Sequence, residues 1–272
     1  MRRIVSPLSM VLCSLFVAGC VGSPARDIQE ATFDREIDVT GPANVEVSTG
    51  SGNVEVHAAA GNRVEIHGTV RGGNFFWWSA SPYEVERVAE NPPIEKTGNT
   101  IRIGRLHNRV RNVSISYVVY VPAETDLRVS TGSGRLTVDG LTGRVDGRTG
   151  SGSISLIGIR GEVEAETGSG SIRASDVRGG LRMRTGSGTI RVQGEQTDRW
   201  DMETGSGSIE VDLPPDSGFE LSAHTGSGGI NVDYPNTSYE DNRRDRHDVR
   251  ATVGDGAETL RLRTGSGHIR VY

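Results

Sequence analysis

Asp146 and Glu164 occupy equivalent places in a repeated segment, 18 residues apart. If each repeat is one coil of a stacked chain, their backbones lie about 5 Å apart, near the carboxyl separation of a retaining glycosidase. Arg182 and Asp201 continue the same column, and such mixed columns ordinarily form solvated charge ladders, which is the preferred reading. The histidines that flank the repeats, His57, His67, His224 and His268, lack the close spacing of a metal-ligand set, so they are expected to face solvent and no metal is implied. The glycine-rich TGSG segments have no following Lys-Ser or Lys-Thr for nucleotide phosphates and no carboxylate for a calcium roll. Their serines also lack the strand–elbow–helix setting of a serine nucleophile. No cofactor and no enzymatic activity are expected.

These residues are positioned by the repeat itself. TGSG begins at Thr49, Thr131, Thr149, Thr167, Thr185, Thr204, Thr225 and Thr264. Within "GEVEAETGSGSIRASDVR", Val163, Ala165 and Thr167 alternate with glutamates, and beyond the turn Ile172 and Ala174 alternate with Ser171, Arg173 and Ser175. Period two means strands with one dry and one wet face. The dry faces need cover, and the sequence offers no set of amphipathic helices to supply it, whereas a solenoid buries them inside itself. An apolar residue recurs two positions past each motif (Val54, Leu136, Ile154, Ile172, Ile190, Ile209, Ile230, Ile269). Arg148, Glu166, Arg184 and Glu203, which precede successive motifs, alternate in sign as a parallel in-register stack favours.

The expected fold is therefore all-β: a single-domain, parallel β-helix-like β-solenoid with coils of about 18 residues and TGSG corners. The best-defined structural turns are Thr131-Gly132-Ser133-Gly134, Thr149-Gly150-Ser151-Gly152, Thr167-Gly168-Ser169-Gly170 and Thr185-Gly186-Ser187-Gly188. Their glycines are expected to supply positive φ and their hydroxyls to form ladders between coils. The segment with Val45, Val47, Val54, Val56, Val64, Ile66 and Val70 reads as a worn version of the same plan, continued by "TIRIGRL" and "VSISYVVYVP".

Two segments break the rhythm. Residues 71–99 form an insertion with a short helix expected around "SPYEVERVAE", and residues 233–256 form a charged loop. Phe75, Phe76, Trp77 and Trp78 stand together in the insertion. They are either a plug over the solenoid, the preferred reading, or a candidate partner contact. The chain stops at "HIRVY", one strand into a coil. An open C-terminal edge strand would permit weak end-to-end self-association unless the 233–256 loop covers it; a capped monomer is preferred.

At the other end, "MRRIVSPLSMVLCSLFVAGC" has the layout of a secretory leader: two arginines, an apolar run and small residues. Residues 1–19 are read as a signal peptide, Cys20 as the lipidation site, 20–34 as a lipid-anchored tether and 35–272 as the solenoid domain. Val17-Ala18-Gly19-Cys20 resembles the bacterial lipoprotein signature, and Val21 in place of Asp implies, through that resemblance, the outer membrane. Cys13 leaves with the leader and Cys20 carries lipid, so no disulfide is expected. Loss of Arg2 and Arg3 makes the net charge of −5 more negative still, which argues against a nucleic-acid partner.

The leader, the "VYVPAETDLRVSTGSGRLTV" junction, the TGSG coils and the ending "VGDGAETLRLRTGSGHIRV" together resemble the bacterial putative-adhesin family of β-strand-repeat proteins, over residues from about 35 to 272. The resemblance implies a β-solenoid ectodomain on the cell envelope with adhesion as the family's proposed role. The expected function is that of a lipid-anchored, non-catalytic interaction or structural protein, with an envelope protein or glycan as partner. The alternative is a carbohydrate-active enzyme working on an outer face.

Overall fold

The computed structural model describes residues 30–75, 78–79, 82–104, 113–244 and 246–272. The alternating residues build an all-β, β-solenoid-like stack whose only helix among the described residues is Pro82–Glu90. A rung consists of a strand before the TGSG motif and a strand after it, and is named here by its corner threonine. The Thr131 rung comprises Asp126–Thr131 and Leu136–Asp139; the Thr149 rung comprises Val145–Thr149 and Ile154–Ile157. Neighbouring rungs pair in parallel, Thr131 opposite Thr149 and Leu136 opposite Ile154. The Thr167 and Thr185 rungs follow in the same way. Inward Val, Ile, Leu, Ala and Met from both strands of every rung merge into one buried cluster.

The corner chemistry differs from the expectation of positive φ. Of the motif glycines only Gly228 and Gly267 have positive φ. The others, Gly50 excepted, are required by close approach. A Cβ on Gly152 or Gly170 would overlap the carbonyl oxygen of the equivalent glycine one rung away, Gly134 or Gly152, and one on Gly168 would lie 2.5 Å from the Gly150 oxygen. The expected hydroxyl ladders are replaced by hydroxyl-to-carbonyl stitches. Buried Thr149, Thr167 and Thr185 donate to the carbonyls of Gly134, Gly152 and Gly170, at 3.2, 2.8 and 2.8 Å. The Thr167 oxygen in turn accepts from the amide of Gly170 at 3.1 Å. All three threonines tie their turns to the preceding rung, and Thr149 and Thr167 also close their own, while the motif serines face solvent.

Stacking does not follow chain order at either end. The Thr49 rung (Asn44–Thr49, Val54–Ala59) lies between the Thr131 rung and a rung made from Thr100–Ile103 and Val113–Pro122. The Thr264 rung (Glu258–Ser266, Ile269–Val271) lies between the Thr204 rung and the Thr225 rung (Phe219–Ser227, Ile230–Val232). The C-terminal strand is therefore paired on both sides, which removes the open C-terminal edge that end-to-end self-association requires.

Antiparallel strands close one end and the leading half of the other, where Ile230–Val232 pairs only with Ile269–Val271 among the described residues. Arg63–Gly72, expected to continue the coils, instead runs antiparallel to Val113–Pro122 and to Glu30–Asp38. The latter strand begins inside the segment read as tether. Helix Pro82–Glu90 buries Val85 and Val88 on this sheet, and Ile94–Thr97 forms a hairpin with Thr100–Ile103. At the far end, the 233–256 segment is largely a hairpin rather than a loop: Thr237–Arg244 pairs with Asp248–Val253, which pairs with Phe219–Ser227. Tyr234 packs edge-on to Phe219 and donates its hydroxyl to the Pro214 carbonyl, sealing the core beneath.

Candidate functional site

The outward side chains form rows across the rungs, and the strands before and after the corners carry rows of different character. On the leading face the rows are charge ladders. Arg102, Glu46, Arg128, Asp146, Glu164, Arg182, Asp201 and Arg261 follow one another in register. Asp146 is only 6% exposed, against the outward, solvated position expected of it, because arginines cover it. Arg128 approaches it at 3.3 Å, and Arg148 reaches both Asp146 at 3.3 Å and Glu164 at 3.5 Å. Sequence reasoning rightly stacks the two carboxylates; the guanidinium shared between them turns the pair into a structural ladder. A neighbouring 170 Å³ hollow has mixed charge, with Arg144, Glu162 and Glu164 facing Arg182, Asp198 and Asp201.

On the trailing face the rungs from Thr131 to Thr185 enclose a 510 Å³ trough. One row is Arg135, Ser153, Ser171, Thr189; the next is Thr137, Ser155, Arg173, Arg191. No carboxylate lines it. Arg191 is held by Glu210 at 2.6 Å, which raises its already high pKa through the hydrogen bond and the charge. Arg135 and Arg173 are exposed and have no ion-pair partner among the described residues. The alternating sequence shows these residues as outward, but it takes the stack to collect them.

The histidines sit at the margins of the stack. His57 stacks on Tyr120 and lies 3.6 Å from Asp139, His67 bonds Asp34 at 2.5 Å, and His224 lies 3.5 Å from Asp248. Among the described residues no cluster of His, Cys, Asp or Glu is arranged to hold a metal ion. Phe75 and Trp78 fall in a two-residue antiparallel pairing. Phe76, Trp77, Cys20 and the leader lie outside the described residues. No helix among the described residues is long and apolar enough to cross a membrane.

Parallel stacking, threonine-stitched corners and ladders of outward side chains define an all-β, solenoid-like repeat protein. The chain belongs to the Toastrack DUF4097 family, whose profile matches residues 112–272. The matched span is shorter than the resemblance read from the sequence, which began near residue 35. Similar solved structures include a putative cell adhesion protein from Clostridium sporogenes, 12% identical over 89% of this chain and 99% of that one, with a TM-score of 0.39. Others are putative adhesins from Bacteroides fragilis (10%, 89% and 97%, 0.40) and Parabacteroides distasonis (9%, 89% and 97%, 0.45). No protein of curated function shows significant similarity.

Proposed function

We propose that this chain is an adhesin-like, non-catalytic interaction protein of the cell envelope, held in the outer membrane by lipid on Cys20. Its building unit in this reading is the 18-residue coil closed by TGSG. The observation that carries the proposal is the continuity of the outward rows across successive rungs. A rigid sheet face presents the same side-chain positions at each strand spacing of about 4.8 Å, which suits an extended partner engaged at several points. Arg148, lodged between Asp146 and Glu164, favours binding over hydrolysis.

Crosslinking the full-length protein in its own envelope and recovering it should bring an envelope protein or glycan with it. Cys20→Ser should move the protein to the soluble fraction, since stable anchoring needs the several acyl chains of a lipoprotein. Identical partitioning of variant and parent would overturn the anchor, and release of sugar fragments by the purified protein would overturn the non-catalytic reading.

A further inference from the structure

The trailing-face trough has a chemistry at odds with the rest of the molecule. The chain carries 35 acids against 30 bases, and its leading face interleaves the two signs. In the trough, Arg173 instead has Ser155 on one neighbouring strand and Arg191 on the other. Glu210 neutralises Arg191, which leaves Arg173 as the cation with no carboxylate beside it in the trough and open to an anion from outside. Arg135 stands at the opposite end, beside Ser153. Two strand steps and two residues along the strand separate Arg135 from Arg173, about 12 Å at the backbone and on the order of the length of a disaccharide. The floor between them is made of short hydroxyl side chains, and the hydroxyls of Ser153 and Ser155 have no hydrogen-bonded partner among the described residues.

We infer that this trough binds an acidic polysaccharide, with Arg135 and Arg173 each taking a carboxylate or sulfate and the serines bonding the sugar hydroxyls. The inference rests on the interaction-protein reading above and names its ligand class. Guanidinium forks match planar carboxylate and sulfate edges with charge-assisted hydrogen bonds. Other polyanions fit less well. No aromatic lines the trough for bases to stack on, and both rows lie inside the sheet, where an acidic peptide finds no open edge to extend.

The test is titration of the full-length protein in detergent with polygalacturonate, dextran sulfate, neutral dextran, polyglutamate and a single-stranded oligonucleotide. The expected result is binding of the two acidic glycans, weakening with salt, and none of neutral dextran. The double variant Arg135→Gln/Arg173→Gln should lose affinity by about tenfold or more, the loss of charge-assisted bonds. Arg199 lines the leading-face hollow and pairs with Asp201 at 3.3 Å; Arg199→Gln should bind as the parent does, and all variants should share one melting temperature. Binding insensitive to the double variant, equal affinity for polyglutamate or the oligonucleotide, or no binding of either acidic glycan would overturn the proposal. The broader reading fails separately: it falls if the crosslinked protein captures no envelope component at all.

Discussion

Thr167 shows how one side chain fastens two rungs. Its hydroxyl donates to the Gly152 carbonyl and accepts from the Gly170 amide, so Thr167→Val keeps the shape and strands two backbone groups. The expected cost is about 1–3 kcal/mol, read from urea unfolding. The glycine requirement is steric, which separates two substitutions that a backbone-angle requirement would make alike. Gly170→Ala should destabilise more than Gly168→Ala, because its Cβ falls deeper into the neighbouring rung's backbone. Equal effects would restore the conformational explanation. Tyr117 supplies a pH-dependent term. It is buried with its hydroxyl unpartnered among the described residues, and burial pushes the phenol well above its ordinary value of 10.0. Above about pH 10 the unfolded chain releases this proton first, so the contribution is complete below that pH and is lost as pH rises through the alkaline range. Tyr117→Phe should flatten the alkaline loss of stability and leave neutral stability equal or higher.

Among the strands, charge explains the order of stacking. Placed in chain order, the 44–59 rung would be outermost and Arg102 would sit beside Arg128. Interleaved, Glu46 stands between them and pairs with Arg102 at 3.1 Å. At the other end, the Thr264 rung brings Arg261, Arg263 and Arg270 against Asp201, Glu203 and Glu210, where chain order would offer Ser222, His224 and Asn231. Glu46→Arg should therefore cost about 1 kcal/mol beyond Glu46→Gln, from like charges in one column. The excess should shrink in about 1 M salt, where the Debye length falls to about 3 Å. A salt-independent difference would show that packing, not charge, sets this order. The sign alternation was legible from Arg148 to Glu203; carried onward, it selects Arg263 over His224 as the next partner.

For the molecule as a whole, the interleaved termini make the ends cooperative. The last residues, 265–272, fill the space between the Thr204 and Thr225 rungs. Deleting them should remove amide-exchange protection from Phe219–Val232 and from the 237–253 hairpin as well as from the Thr264 rung, because both rungs lose a parallel neighbour. If only residues beside the cut lost protection, the terminus would be behaving as a simple edge. The antiparallel hairpins and the helix provide the caps that a repeat stack requires, except beside Ile230–Val232, which pairs on one side only among the described residues.

Period-two alternation, the recurring apolar residue after each corner and the invariant TGSG spelling determined by themselves that this chain is all-β, that both strands of a repeat face one core, and which residues enter it. Val45, Val54, Ile66 and Ile172 are buried as that pattern demands. These are local properties, written in neighbouring residues. The stacking order, the antiparallel caps, the arginine lodged between Asp146 and Glu164, and the acid-free trough were decided only by the tertiary structure. Each depends on which distant strand lies alongside, and one alternating strand pairs acceptably with many others until charge, corner fit and core volume are satisfied together.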